Sequence, residues 1–105
     1  MRVETSDARV FDVSFHKIHR QIKNKKRDLI DTKCVISEVF YDNNLKPSFK
    51  DVASGKSFHN PVDRYNKYTG KKFALRRALN EMNISGKDKG IIALKFEDNF
   101  KHCRK

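Results

Sequence analysis

The stretch His59–Met82, HNPVDRYNKYTGKKFALRRALNEM, is where the sequence changes period. Before it, apolar residues alternate. Within it, Leu75, Ala78, Leu79 and Met82 recur at i, i+3, i+4 and i+7, which is the buried stripe of a helix. Asn60 can cap that helix, Pro61 suits its first position and Asp63 favours the positive end of its dipole. Thr69 and Gly70 are expected to interrupt or restart it, splitting off a short first piece.

Working back from His59, Phe49–Phe58 reads as a strand. Gly55 within it and the cations Lys50 and Lys56 mark it as an edge that must not recruit strangers. Before the turn DNNLKP, the run DTKCVISEVFY sets Val35, Val39 and Tyr41 on one side and Cys34 and Ile36 on the other. That pattern predicts a central strand buried in part on both faces. Earlier still, Phe11, Val13 and Phe15 alternate with Asp12, Ser14 and His16. Ile18 and Ile22 fall out of phase, so a bulge near His16 and Lys17, or cover on both sides, is expected. The polar run KNKKRD at Lys23–Asp28 should be an exposed hairpin tip. Downstream, NISGKD ends the first helix. Ser85 followed by Asp88 resembles a capping pair, and a last helix over about Asp88–His102 would bury Ile92, Phe96 and Phe100. The prediction is a single α+β domain over residues 1–105. It comprises an antiparallel β-meander of three to four strands over about 9–58, then two C-terminal α-helices within about 61–102.

A chain of 105 residues holds one core, so any cleft must be shallow or shared, and so small a core favours a homo-oligomer. Its 24 Lys and Arg against 13 Asp and Glu leave a formal charge of +11, a field that attracts phosphate-rich partners. No apolar run approaches the ~20 residues needed to span a bilayer, and the amino terminus has no continuous apolar signal core. An intracellular protein is therefore expected, with no membrane partner. Cys34 and Cys103 lack regular spacing and fit reduced thiols.

On the helix, Lys72, Arg76 and Asn80 stack at i, i+4 and i+8, turned away from Leu75 and Leu79. Tyr65 and Tyr68 would extend that ridge backwards. Lys71 and Lys72, with the amides after Thr69, stand where a helix start favours an anion. Rings beside cations can stack a base while the charges hold its phosphate. Tyr65, Tyr68, Lys71, Lys72, Arg76 and Arg77 are therefore candidate ligand-binding residues. Arg20, Lys25, Lys26 and Arg27 of the second basic run would supply another wall. The same residues also admit a plainer reading, in which the cations form a solvated face, Arg77 pairs with Glu81 and the tyrosines cover the sheet.

Catalytic and metal chemistry find less support. His16 and His19 point to opposite faces of a regular strand, and no CxxC or HExxH is present. His59 and Asp63 near Ser57 lack any motif announcing an oxyanion pocket. The fragment TGKK is not a phosphate loop. No enzyme activity, metal or cofactor is expected.

From about Phe11 onward the order of signals resembles a widespread group of small phage and prophage proteins. Their shared features are a first strand F-x-V-x-F-H/R, a Cys-bearing second strand and a segment H-x-P-x-D-x-F-x-R-x-x-G-R-K-x-A-L-x-R-A-L. Here that segment is HNPVDRYNKYTGKKFALRRAL, with Tyr65 and Lys67 replacing Phe and Arg and with Asn60 between His59 and Pro61. A sheet followed by two helices is also similar in layout to phage Thoeris anti-defence sponge proteins, which oligomerise and sequester cyclic ADP-ribose-type signals. That likeness is one of layout and transfers no residue. The resemblance implies a phage-encoded counter-defence protein in the host cytoplasm that holds a nucleotide immune signal without catalysis. Two alternatives are a nucleic-acid-binding regulator and an inhibitor of a host nuclease, polymerase or other defence protein.

Overall fold

The computed structural model describes residues 1–20, 29–59 and 66–100. A four-stranded antiparallel sheet runs in the order β1-β2-β3-β4, with β1 Arg2–Glu4, β2 Val10–Arg20, β3 Leu29–Tyr41 and β4 Pro47–Ser57. Two helices follow, α1 Lys67–Glu81 and α2 Gly86–Phe100. The α+β meander is the layout its alternation predicts.

One sheet face carries the core. Val3, Phe11, Val13, Cys34 and Ile36 meet Ala74, Leu75, Ala78 and Leu79 of α1 and Ile92 and Phe96 of α2. β4 is the outer strand under α1, and Gly55 lets the helix come close. A Cβ there would stand 2.4 Å from both the Ala74 carbonyl oxygen and the Ala78 nitrogen. Cys34 is fully buried, and burial pushes its thiol up to about 12, so it acts as a small hydrophobe. Cys103 lies outside the described residues.

Several local expectations are corrected. β2 pairs with β3 in unbroken register from Val10↔Val39 to Arg20↔Leu29, so there is no bulge at His16 and Lys17. The irregularity lies in β4 instead. Ile36 pairs with Ala53 and Ser37 with Asp51, which leaves Val52 as the extra residue. Thr69 and Gly70 do not break α1. They lie in its first turn, where the Thr69 N–H donates to Asn66 Oδ1 at 3.0 Å and Asn66 is the cap. The cap expected from Asn60, Pro61 and Asp63 lies outside the described residues. Ser85 does cap α2, accepting from the Asp88 N–H at 3.2 Å. The Asp88 carboxylate in turn takes the Ser6 hydroxyl at 2.6 Å and the Ser6 N–H at 3.0 Å, tying the β1–β2 loop to the helix start.

The radius of gyration is 15.5 Å and the long axis 54 Å, against about 13 Å for a compact chain of this length. The β3–β4 hairpin contributes to that length, since residues 40–51 are all exposed out to its turn at Asp42–Lys46.

The far end of the sheet is fixed by Asp31, 3% exposed. It receives Arg20 Nε at 3.0 Å and Nη2 at 3.2 Å, and the His59 N–H at 2.9 Å. Burial raises this carboxyl, but the His59 N–H and the Arg20 guanidinium together outweigh burial and hold it below its ordinary value. A lowered folded pKa gives stability that is fully present above the unfolded value of about 3.9 and is lost as pH falls through the folded one. Asp31→Asn is therefore expected to cost about 2–3 kcal/mol at neutral pH. It should also flatten the acid limb of a plot of urea midpoint against pH. An acid limb as steep as the parent's would rule this out. Glu38, hydrogen-bonded to Arg9, and Asp88 are lowered as well and supply the remaining slope.

Candidate functional site

Asn66 starts α1, and Ala74, Leu75, Ala78 and Leu79 turn inward. Residues four apart stack on one helix face, so Lys72, Arg76 and Asn80 come out together beside α2, as their spacing predicts. They line a cleft of about 300 Å³ between the helices, with Leu75, Leu79, Ala93 and Phe96 as its apolar floor and Lys89, Gly90 and Glu97 on the far wall. Lys89 and Glu97 could have been found from their spacing of eight with Ala93 between them, but only once α2 was known to lie against α1.

The other candidates do not join this wall. Lys71 does not line the cleft but stands against the rings at the end of α2, its ammonium 4.4 Å from the Phe100 ring centroid and 5.7 Å from that of Phe15. Arg77 faces β4, donating to the Lys56 carbonyl and lining a separate open cavity of about 530 Å³ with Lys33 and Asp51. Tyr68 is half-buried. Its ring stacks on Phe96 with centroids 5.7 Å apart and planes 25° apart, and its hydroxyl donates to Glu97 Oε1 at 2.5 Å. One ring face is therefore taken, with the Lys72 ammonium 5.7 Å from the centroid. Arg20 is committed to Asp31 and the His59 carbonyl on the sheet face away from the helices, so it does not form a second wall to the cleft. Tyr65, Lys25, Lys26 and Arg27 lie outside the described residues.

The division has a simple geometric cause. Consecutive helical residues project about 100° apart, so Lys71 with Lys72, or Arg76 with Arg77, cannot share a wall on a helix packed on both flanks. Lys72 and Arg76 are the pair that meets.

Among the described residues, no group of three or more His, Cys, Asp or Glu could hold a metal ion. His16 and His19 lie on opposite faces of β2, and His16 Nε2 is 3.3 Å from Ser14 Oγ. No described helix is long and apolar enough to cross a membrane. No family model matches the chain, no curated protein matches it, and no solved structure matches it.

Proposed function

We propose that this protein is a non-catalytic binder of a phosphorylated ligand, seated in the cleft between α1 and α2. One observation carries the reading: Lys72 and Arg76 from one helix and Lys89 from the other rim a cleft whose floor is apolar. Cations would hold phosphate while the floor takes the less polar part of a nucleotide. The overall charge of +11 draws such a ligand in. A stoichiometric holder needs no nucleophile. The phage counter-defence setting, the sequestering of a nucleotide immune signal in a host cytoplasm, rests on the resemblance over His59–Leu79.

Native mass spectrometry of protein purified from cells, followed by calorimetric titration with mononucleotides, cyclic nucleotides and inorganic phosphate, tests the reading and reports copy number. A bound nucleotide is expected. Lys72→Gln with Arg76→Gln should weaken it by at least about tenfold, since each charge-assisted hydrogen bond contributes roughly 1.5–3 kcal/mol. Equal affinity in parent and variant would exclude the cleft. A steep fall of affinity with log salt would instead favour the polynucleotide alternative, because a small ligand releases few counterions.

A further inference from the structure

The sheet face away from the helices carries a second set of rings and charges. Register places Tyr41, Phe49, Lys33 and Lys56 on it, and Arg2 reaches across from β1. At one end the Arg2 guanidinium donates to the Tyr41 hydroxyl at 2.9 Å and stands 5.6 Å from the Phe49 ring centroid. At the other end the Phe58 ring lies 5.8 Å from the Lys56 ammonium and 6.0 Å from the Arg20 guanidinium. Phe49 and Phe58 are an odd number of residues apart, so a regular strand would point them to opposite faces. The extra residue at Val52 restores them to the same one. Tyr41, Phe49 and Phe58 are 49%, 52% and 61% exposed, so three rings share one open face.

We propose that this face binds single-stranded nucleic acid, with Tyr41, Phe49 and Phe58 stacking bases and Arg2, Lys33 and Lys56 holding the backbone. Charge complementarity selects the occupant. Two acids of the face are charge-paired, Asp31 with Arg20 and Asp12 beside the Met1 ammonium at 3.8 Å, while Asp51 keeps its charge and is turned to the Ser37 hydroxyl at 2.6 Å. Glu4 remains turned outward. A second copy brings the same charge of +11, which disfavours it as the occupant of this particular face. A duplex keeps its base faces stacked on one another, so exposed rings gain little there, whereas a single strand offers both phosphates and free base faces. The two ring clusters stand roughly 30 Å apart along β4, room for several nucleotides. This site is separate from the α1–α2 cleft and does not depend on it.

The test is fluorescence anisotropy of labelled oligothymidylate about 15 nucleotides long, the upper end of a single-fold site. It is titrated with the full chain at several salt concentrations. Binding is expected, with affinity falling linearly in log–log form as counterions are released. Tyr41→Ala, Phe49→Ala and Phe58→Ala should each weaken it at least about fivefold, since a base–ring stack contributes that much. All three rings are exposed, and circular dichroism checks that the variants fold. The proposal is overturned by no binding at low salt or by unchanged affinity in the triple ring variant. It is equally overturned by tighter binding to the matching duplex or to anionic phospholipid vesicles, or by sedimentation showing the face closed by a second copy. Nucleotide titrations report on the cleft and oligothymidylate on the sheet, so either site can fail alone.

Discussion

Gly55→Ala is expected to lose about 3 kcal/mol of stability, the upper end for overpacking, and to melt roughly 12–24 °C lower at ~4–8 °C per kcal/mol. The atoms that a Cβ would strike explain the size. At 2.4 Å it meets the Ala74 carbonyl oxygen and the Ala78 nitrogen, and at 2.8 Å the Arg77 Cβ. Two of these are helix backbone, which no rotamer change can move aside, so α1 must lift off β4 along a line where Ala74 and Ala78 are fully buried. Lifting it opens gaps around Leu75 and Cys34 in the same core. Gly55→Val should not fold. Gly90→Ala makes the contrast, because that helical position has nothing within 4 Å of a new Cβ; it should gain about 0.5–1 kcal/mol. Thermal melts by circular dichroism read all three. A Gly55→Ala protein melting within about 2 °C of the parent would mean that the helix stands farther from the strand.

Much of this arrangement was legible in the chain. Phe11, Val13 and Phe15 alternate, Cys34 and Ile36 oppose Val35 and Val39, and Leu75, Ala78 and Leu79 repeat at helical spacing; each pattern fixes a face wherever one side must be buried. Gly55 with Lys50 and Lys56 marks an edge strand, and β4 is that edge. β1 has only three residues, too short to show a period of its own, and is held by its pairing with Val10–Asp12. Asn66 caps the described helix, a role its own residue type allows but its neighbours do not announce, while the start signal of Asn60, Pro61 and Asp63 lies outside the described residues. The extra residue at Val52 follows no turn chemistry in the sequence, and with it went the means to see that Phe49 and Phe58 share a face. The cleft required knowing which helix lies beside which. Spacing alone aligned Lys72 with Arg76, but it could not bring Lys89 across.

Phe96→Ala carries the other large effect and tests how α2 is docked. Phe96 is 1% exposed and joins three rings, with centroids 5.8 Å from Phe15, 5.7 Å from Tyr68 and 5.0 Å from Phe100. Truncation removes the transfer free energy of a buried ring and leaves a cavity that only partly collapses, for a loss of about 3–5 kcal/mol. Offset and tilted ring pairs add to what area alone would give. Set against a total of roughly 5–15 kcal/mol for a domain of this kind, that loss should leave much of the protein unfolded near body temperature. Phe96→Leu keeps most of the volume and should cost less than about half as much. Tyr68→Phe separates packing from hydrogen bonding. The ring stays on Phe96 while Glu97 loses the Tyr68 hydroxyl as one donor, so about 1.5–3 kcal/mol should go, as for a hydrogen bond to a charged group. If Tyr68 were instead a solvent-facing stacking residue, Tyr68→Phe would leave stability within about 0.5 kcal/mol of the parent. Phe96→Ala costing under about 1 kcal/mol would likewise mean that α2 does not close on Phe15 and Tyr68, and the cleft floor beneath Lys72 and Arg76 would then not exist.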